Sequence, residues 1–555
     1  MKIIECVPNI SEGKDEKVIT AVTNTLSSHD VKLLDVDSGA DTNRTVITFI
    51  GEPSEVIKAA YDLIKKSCEL IDLNNHMGTH ARMGATDVCP LIPISNVTMD
   101  ECIAYANELS KKVALDLKIP VFAYEKSAKN NERRNLANIR SGEFEGMSEK
   151  IKKRNWKPDF GVNEIHPTAG VIAIGARNFL IAYNINLNTK DKSIASDIAL
   201  DIREQGRNKR DKNGKFIRDK NGIPIKKPGF FKHCKAVGWY LDEHNISQIS
   251  INLTDIEKTP PHVVFEKCRE LARDRGVRVT GSEIVGLMPL KTVLEIGKFY
   301  LSKQKRSMGI PQKDIIDIAI KSLGLEDLSK FNYKEKIIDF LVSDKTESLT
   351  NLDIAAFLDE LSSSSPAPGG GSVSALAGAL SASLTSMVAN LTIGKKKWES
   401  VYDEMCRIGE LSQDLKDQLA ILIDADTEAF NLVLQAYRLP KATNEDIKSR
   451  KNAIENAMKN AASVPYETMK LCCKTMELIK QVALNGNPNS ITDAAVAGEL
   501  ALAGARGAAL NVEINLIDID DEIFSKKMKT DISTAITLAL KETKLIRKIV
   551  QQKMQ

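Results

Sequence analysis

The chain changes its hydrophobic pattern near residue 345, and this change limits the folds that it can adopt. Before that point, short β-rich runs such as 31–36 and 45–50 alternate with amphipathic segments. After it, β-branched runs almost disappear and helical periods extend over 401–437 and 446–485. A two-residue period indicates strands, and a period of three to four residues indicates helices. We therefore predict an α/β (or α+β) N-terminal part joined to an all-α C-terminal part.

The length of 555 residues also exceeds that of one ordinary domain and suggests roughly two to four. The polar segment 341–350 follows an amphipathic stretch, so we predict that it is the linker and that the helical domain spans 351–555. A hydrophobic fraction of 43% with 27% charged residues is globular composition, which excludes fibrous and wholly disordered classes.

The net charge of +3 hides a local excess between Arg207 and Lys235. This insert holds eleven Lys or Arg and two Asp, a net charge of +9, so the rest of the chain carries −6. The pentapeptide RDKNG occurs twice, at 210–214 and 218–222, and Asn-Gly pairs favour tight turns. We predict an exposed hairpin-like loop, which is either a solvated elaboration or a functional basic rim. One basic insert on a mildly acidic body does not fit a nucleic-acid-binding protein.

The number of cysteines and the hydropathy of the chain indicate its cellular compartment. Nine cysteines, two of them the adjacent Cys472 and Cys473, are too few for a disulfide scaffold and indicate a reducing cytosol. Glu5 lies where a signal peptide would have its apolar centre. The uncharged stretch 361–394 is rich in serine and too polar for a lipid-facing helix. We expect a cytoplasmic protein without a membrane span.

All seven histidines lie before residue 263, so the second part must move protons with other groups. His76 and His80 lie in a loop that two glycines interrupt, which disfavours a helix presenting both imidazoles to zinc; we expect no metal. A loop imidazole close to Arg82 suits acid–base work on an anionic substrate. The alternative is a histidine that only holds the loop.

Two further segments of the first part place polar or small residues at turns. An apolar strand runs into Asp35 and Asp37, and Asn43-Arg44 precedes the next strand. Carboxylates at a strand end can orient a catalytic imidazole, although capping of the turn explains them equally well. In 157–176, glycines around an apolar run either let a flat ligand approach the backbone or make turns.

The helical part offers two candidate features. Residues 365–372 (SPAPGGGS) precede a helix, where free backbone N–H groups favour an anion; the alternative is a tight helix entry with no ligand. Asp426 interrupts an apolar stripe with three-and-four spacing within 415–437. A carboxylate placed there should have a raised pKa and could move protons, whereas a hydrogen-bonded structural Asp is the alternative.

Six segments of the first part resemble the formiminotransferase domain of the formimidoyltransferase-cyclodeaminase family, and they extend over nearly all of 1–340. These segments are 7–13 (VPNISEG), 35–46, 78–90, 159–170, 175–187 (GARNFLIAYNINL) and 238–241 (GWYL). The resemblance implies an N-terminal subdomain at 1–178, a second at 179–340, and transfer of a formimidoyl group from N-formimidoyl-L-glutamate to tetrahydrofolate.

Carried over position by position, the family's catalytic histidine falls on His80 and its acidic partner on Asp37. Arg44 and Arg82, near these motifs, are candidates to bind the substrate carboxylates. The folate-binding segment falls on ten consecutive residues: Gly161, Val162, Asn163, Glu164, Ile165, His166, Pro167, Thr168, Ala169 and Gly170.

The chain departs from the family at several of these positions. Ala81 stands where the family commonly has proline, and Thr168-Ala169 stand where a Ser-Trp pair is familiar. Loss of that tryptophan would weaken one ring-stacking contact.

Four segments of the second part resemble the cyclodeaminase domain of the same family: 367–391, 423–430 (IDADTEAF), 438–441 (RLPK) and 511–516 (NVEINL). The family's proton acceptor falls on Asp426, the residue that the periodicity also isolates. The candidate pocket residues are Gly369, Gly370, Gly371, Ser372 and Asn511.

Together the resemblances imply a bifunctional folate enzyme of histidine degradation that also releases ammonia to form 5,10-methenyltetrahydrofolate. They further imply tetrahydrofolate as a co-substrate with a polyglutamate tail, no metal, and a homo-oligomer. Two alternatives stay open. The second part is a methenyltetrahydrofolate cyclohydrolase, or the whole chain is a non-catalytic oligomeric scaffold for cytoskeleton or membranes.

Overall fold

A computed structural model describes residues 2–40, 42–78, 80–342 and 348–555. The chain forms two compact units: Met1–Thr292 with Leu323–Ser343, and Val293–Ser322 with Asp344–Gln555. The first unit is α/β, and the described residues of the second contain helices and no strand, which confirms the predicted fold classes. Part of the predicted linker, residues 343–347, lies outside the described residues, and the domain boundaries drawn from the sequence stay a prediction.

The N-terminal part of the first unit is built on a seven-stranded sheet. Its strands are β1 (Ile3–Cys6), β2 (Asn9–Ile10), β3 (Val31–Gly39), β4 (Arg44–Gly51), β5 (Thr86–Ser95), β6 (Val121–Ala123) and β7 (Ile172–Ala176). β3 pairs with β4, both β1 and β2 lie between β4 and β5, and β7 lies between β5 and β6. Only the β5–β7 and β6–β7 pairs are parallel among the pairs of this sheet. The buried run of β5 reflects this central position.

Five helices accompany this sheet: α1 (Glu16–Thr23), α2 (Pro53–Leu70), α3 (Met99–Asp116), α4 (Leu136–Arg140) and α5 (Glu143–Lys150). Their starts follow from the sequence. Pro53 occupies the first turn of α2, where a missing N–H costs nothing. Thr98 and Glu101 form a reciprocal capping box that fixes the start of α3.

The strands that follow are β8 (Ile181–Leu187), β9 (Arg207–Asn208), β10 (Lys226–Lys227), β11 (Cys234–Leu241), β12 (Ile246–Leu253) and β13 (Val279–Val285). Four of them form a second, antiparallel sheet with the order β11-β12-β8-β13, and β9 and β10 form a two-stranded ribbon in the insert. Helices α6 (Lys192–Ile202) and α7 (Pro261–Arg273) bury their apolar residues in this part of the unit. Gly238 is required on β11 because a Cβ there would lie 2.2 Å from the Ser196 nitrogen of α6.

The basic insert is a set of tight hairpins, as predicted. β9 pairs with β10, and between them the two RDKNG repeats make the same turn. In each repeat the aspartate Oδ1 accepts two backbone N–H groups, from Asn213 and Lys215 in the first and from Asn221 and Ile223 in the second. Three further bonds close a ring: Lys209 N donates to Ile225 O, Ile217 N to Lys209 O, and Ile225 N to Ile217 O. The insert therefore satisfies much of its own backbone.

Four helices follow the second sheet: α8 (Leu290–Lys303), α9 (Gln312–Leu323), α10 (Tyr333–Lys336) and α11 (Ile338–Val342). The segment between α8 and α9 is bonded to the helical bundle, since Gly309 O accepts from Ser386 Oγ at 2.9 Å and from Asn390 Nδ2 at 2.7 Å. This explains why residues 293–322 belong to the second compact unit although they precede the linker in sequence.

The bundle of the second unit consists of α12 (Ile354–Leu361), α13 (Gly370–Thr392), α14 (Tyr402–Tyr437), α15 (Asn444–Asn485), α16 (Ile491–Asn515) and α17 (Glu522–Met554). α13 buries its small-residue face and leaves its leucine-rich stripe partly exposed. Small residues permit this packing: a Cβ at Gly504 of α16 would lie 2.8 Å from Ser374 O and 2.9 Å from Cys472 Sγ. α13 also has the length and mean hydropathy of a membrane span, but 61% of its apolar window is buried within the bundle.

Candidate functional site

The loop that carries His80 is tied to the β3–β4 turn. Gly78 lies so close to this turn that a Cβ would stand 2.4 Å from Thr42 O, so no larger residue fits. Asn43, with a left-handed φ of 48°, donates to Met77 O at 3.0 Å and accepts from Gly13 N at 2.9 Å. Asn43 therefore joins the segment 7–13 to the residues that lead into the His80 loop.

His76 is committed on both sides of its ring. Its Nε2 lies 2.8 Å from Asn43 O and its Nδ1 accepts from Arg82 Nε at 3.2 Å. No group of three or more His, Cys, Asp or Glu side chains that could hold an ion occurs within residues 2–40, 42–78, 80–342 and 348–555. The structure thus assigns His76 to holding the loop, and the expectation that no metal is needed stays a prediction.

His80 contacts Arg44 directly: Nη1 of Arg44 lies 2.5 Å from Nε2 of His80. Burial, followed by the positive charges of Arg44 and Arg140, lowers the pKa of His80 to about 4, against a smaller opposite effect of Asp87. Burial likewise lowers the pKa of Arg44, to about 10. The imidazole is therefore neutral near pH 7.

Asp37, the predicted acidic partner, is exposed on β3 opposite Val46. Its negative charge acts on Arg44 and raises the pKa of that guanidinium. The structure thus places Asp37 in the electrostatic surroundings of Arg44.

A largely buried ion pair that the sequence does not reveal lies beside His80. Both Nε and Nη2 of Arg140 donate to Asp87 Oδ2, at 3.0 and 2.5 Å, and Asp87 Oδ1 accepts from Met83 N at 2.8 Å. Asp87 therefore fixes the end of the His80 loop and joins it to α4. The partners lie 53 positions apart in sequence, and no local spacing pattern could have revealed the pair.

Arg82, a candidate for substrate binding, is already engaged. It donates to both carboxylate oxygens of Glu145, at 2.8 and 2.6 Å, and its side chain is 12% exposed. It lines a cavity of about 480 Å³ with six other residues: His76, Met77, Gly78, Gly142, Glu143 and Glu145. Arg82 thus shapes the wall of a cavity beside the His80 loop.

The predicted folate segment, 161–170, ends against the same loop. Gly170 has a φ of +69° and a Cβ there would stand 2.2 Å from Met83 O. Ala85 N donates to Ala169 O at 2.9 Å, and Val171 N to Met83 O at 3.0 Å. The segment's first half is exposed, while His166 closes its turn by accepting from Ala169 N at 3.0 Å. The structure thus brings the predicted folate segment and the His80 loop together.

A buried pair, Arg133 with Asp159, anchors the start of that segment. Arg133 Nη1 donates to Asp159 Oδ2 at 2.6 Å, and the same oxygen accepts from Ala123 N at 2.9 Å. Asp159 lies in one of the segments that carry the family resemblance, whereas Arg133 lies outside them.

In the second unit, the predicted residues meet at the start of α13. Asp426 on α14 accepts from Ser372 Oγ at 3.3 Å, and Ser372 is fully buried. A Cβ at Gly371 would lie 2.0 Å from Asp426 Oδ1, and one at Gly370 would lie 3.2 Å from Asn511 Nδ2. Burial raises the pKa of Asp426, and hydrogen bonds from Ser372 oppose this rise. The structure therefore places Gly371 and Ser372 against the Asp426 carboxylate, and Asn511 against the adjacent Gly370.

Gly369 stands as the N-cap residue of α13. Asp424, two residues before Asp426, has a different task that the sequence did not reveal. Its oxygens accept from Leu349 N at 2.6 Å, Ser348 Oγ at 2.7 Å and Thr350 Oγ1 at 3.2 Å. It holds residues 348–350, the end of the predicted linker.

The chain thus falls in the class of two-unit proteins that carry one candidate site in each unit, an imidazole in the α/β unit and a carboxylate in the helical unit. The comparisons with known proteins are consistent with this class. Family models match residues 3–177 (formiminotransferase domain, N-terminal subdomain), 182–343 (formiminotransferase domain) and 353–534 (formiminotransferase-cyclodeaminase). The chain belongs to the formimidoyltransferase-cyclodeaminase family.

Relatives match the whole chain and each part of it. The formimidoyltransferase-cyclodeaminase of Rattus norvegicus is 39% identical over 98% of both chains. The glutamate formimidoyltransferase of Streptococcus pyogenes is 42% identical over 54% of this chain and 93% of its own. The methenyltetrahydrofolate cyclohydrolase of Methylorubrum extorquens is 45% identical over 32% of this chain and 85% of its own. A solved formiminotetrahydrofolate cyclodeaminase from Thermotoga maritima aligns with 38% of this chain at 30% identity and a TM-score of 0.35.

Proposed function

We propose that the chain transfers a formimidoyl group from N-formimidoyl-L-glutamate to tetrahydrofolate and then cyclises the product to 5,10-methenyltetrahydrofolate with release of ammonia, within histidine degradation. The observation that carries the proposal is the presence of two distinct candidate proton acceptors, one in each unit. A neutral, partly buried His80 lies beside the predicted folate segment, and the Asp426 carboxylate lies against the start of α13.

His80 supplies the proton movement that the transfer requires. N5 of the folate attacks the amidine carbon, a new C–N bond forms, and the bond from that carbon to the glutamate nitrogen breaks. His80 takes the N5 proton and returns it to the glutamate nitrogen, so that glutamate leaves as an amine and no net proton is consumed. Such acid–base catalysis contributes about 10²–10⁴-fold.

Asp426 has the corresponding task in the cyclisation. N10 attacks the formimidoyl carbon, and the nitrogen that was the imino group leaves as ammonia. The substrate reacts as the protonated amidine, whose nitrogen carries two protons; the proton lost from N10 is the third, so this nitrogen leaves as NH3 and the positive charge stays on the methenyl product. A carboxylate with a raised pKa exchanges protons at lower cost than an ordinary one, and Asp426 has this property.

Exchange of each acceptor tests the proposal. His80→Ala should abolish transfer and spare ammonia release from 5-formimidoyltetrahydrofolate, and Asp426→Ala should do the reverse. The measurement is steady-state assay of both reactions with each variant. Loss of both activities in either folded single variant contradicts the separation of tasks.

A second candidate function is supported by one observation, the match of the helical part to a methenyltetrahydrofolate cyclohydrolase. In that case the second unit hydrolyses the methenyl compound and releases no ammonia. An ammonia assay with 5-formimidoyltetrahydrofolate decides between the two.

Three finer features belong to the same proposal. We infer a cytoplasmic enzyme, since all nine cysteines have free thiols. We infer a homo-oligomer, since Val373, Leu380, Met387 and Leu391 leave a partly exposed apolar stripe on α13. We infer a polyglutamated folate from the family resemblance. Sedimentation velocity tests the oligomer, and kinetics with mono- and polyglutamated tetrahydrofolate test the tail preference.

A further inference from the structure

The contact between Arg44 and His80 limits the ability of His80 to accept a proton. A guanidinium has only hydrogen-bond donors, so at 2.5 Å the Nε2 of His80 must be the acceptor. The neutral imidazole then carries its proton on Nδ1, and the lone pair of Nε2 points at Arg44. In this arrangement Nε2 cannot receive a proton from a substrate.

Arg44 also differs from the arginines around it. Arg82, Arg133 and Arg140 each have a carboxylate partner within 2.6 Å. Arg44 takes part in no ion pair among the described residues, and its buried Nε donates no hydrogen bond to any of them. A buried cation with an unsatisfied donor is costly and is well suited to bind an anion.

The charges that face His80 come from three elements. Arg44 on β4 and Arg140 on α4 disfavour the protonated imidazole, while Asp87 on β5 favours it, as does a hydrogen bond with the backbone of Ala81. Asp37 on β3 acts on Arg44. Arg140 is held by Asp87 and stays in place, so Arg44 is the member of this group that is free to move towards an anion.

We propose that Arg44 blocks the His80 base and that a carboxylate of the amino-acid substrate removes the block. The inference rests on the proposed transfer from formimidoyl-glutamate. A substrate carboxylate pairs with the guanidinium through Nη1 and Nε, Nη1 leaves the imidazole, and the lone pair of Nε2 becomes available. Arg44 is then a specificity-determining residue, because a formamidine without a carboxylate leaves the base blocked.

The titration of His80 tests this directly, without reference to turnover. Protein labelled with ¹³C at histidine Cε1 is titrated by NMR, and the His80 signal is assigned by its loss in His80→Gln. In the wild-type protein His80 should titrate near pH 4, as burial and the two cations dictate. Saturating glutamate, the anionic probe, should raise that value by at least one unit.

Variants at Arg44 separate the block from general effects of the fold. In Arg44→Ala, His80 should titrate at the raised pH without glutamate, and added glutamate should not change that value. In Arg44→Lys a cation and a hydrogen-bond donor remain, so His80 should titrate close to the low wild-type value. Arg134→Ala, which removes an exposed arginine of the same unit, should behave as wild type. A His80 value that is unchanged in folded Arg44→Ala overturns the inference.

The two proposals fail in different ways. If transfer is measured but glutamate does not move the His80 titration, the block is refuted and the proposed function stands. If glutamate moves the titration but no transfer to tetrahydrofolate occurs, the block stands and the proposed function is refuted. In the pH profile, the acid limb of kcat should lie at higher pH than that of kcat/KM, since the complex has the released base.

Discussion

Gly371 lies directly against the carboxylate of Asp426: a Cβ built on the glycine would stand 2.0 Å from Oδ1 and 2.4 Å from Cγ. The backbone at the start of α13 thus contacts the proposed proton acceptor with no side chain between them. This relationship gives the run of glycines in 369–371 a purpose that turn formation alone does not explain.

We expect Gly371→Ala to reduce ammonia release at least 100-fold, because the methyl group must displace Asp426. Transfer activity, which belongs to the other unit, should stay unchanged. Gly498→Ala in α16 is the matched control, since its Cβ would meet Ile546 at an ordinary 3.5 Å. Both activities are measured by steady-state assay, and full ammonia release by Gly371→Ala would contradict the assigned role of Asp426.

Much of the fold was accessible from the sequence. Hydrophobic periods predict α14 and α15, and the Asn-Gly pairs predict the hairpins of the insert, because a few neighbouring residues determine each of them. Asp426 was found for the same reason: one polar residue in an apolar stripe is visible within a single helix.

The contacts that complete the sites were not accessible. Arg140 pairs with Asp87 across 53 residues, and Asp424 pairs with Ser348 across 76. A charged residue that is paired in the folded state has the same local pattern as a solvated one. The assignment of 293–322 to the helical unit escaped prediction because it depends on contacts of Gly309, whose own neighbours in sequence form no periodic pattern.

The Asp87–Arg140 pair should be a main contributor to the stability of the transferase site. Asp87→Asn leaves the charge of Arg140, whose side chain is 15% exposed, without its partner, and we expect a loss of about 3 kcal/mol in unfolding free energy. Asp87→Asn with Arg140→Leu should lose less than the sum of the single changes. Urea unfolding measures all three variants, and strict additivity would show that the pair has no coupling.

The insert between β9 and β10 should be dispensable for folding. All hydrogen bonds of residues 209–225 that join described residues are internal to the insert, and Asn208 already pairs with Lys226. Replacement of 209–225 by an Asn-Gly turn should therefore change the Tm by only a few degrees. Arg207→Ala is the contrasting variant, because Arg207 binds Asp197 and Asp201 and its loss should lower the Tm. A large loss of Tm on deletion would show that the insert supports the unit.

Glu5 makes the stability of the first unit depend on pH. It lies on β1, is 3% exposed, and burial raises its pKa from 4.5 to about 7, against a smaller opposite effect of Arg177. The folded state therefore holds a proton that the unfolded chain releases between these values, so the unfolding free energy falls as pH rises through this window. The fall amounts to about 3 kcal/mol.

Glu5→Gln should be more stable than wild type at pH 8 and nearly equal to it at pH 4.5. Urea unfolding at both pH values measures this difference. Glu101→Gln is the control: hydrogen bonds, first of all from Lys2, lower the pKa of Glu101 to about 2, so its titration affects stability only below this pH window. An equal stability gap between wild type and Glu5→Gln at both pH values would show that Glu5 is ionised throughout.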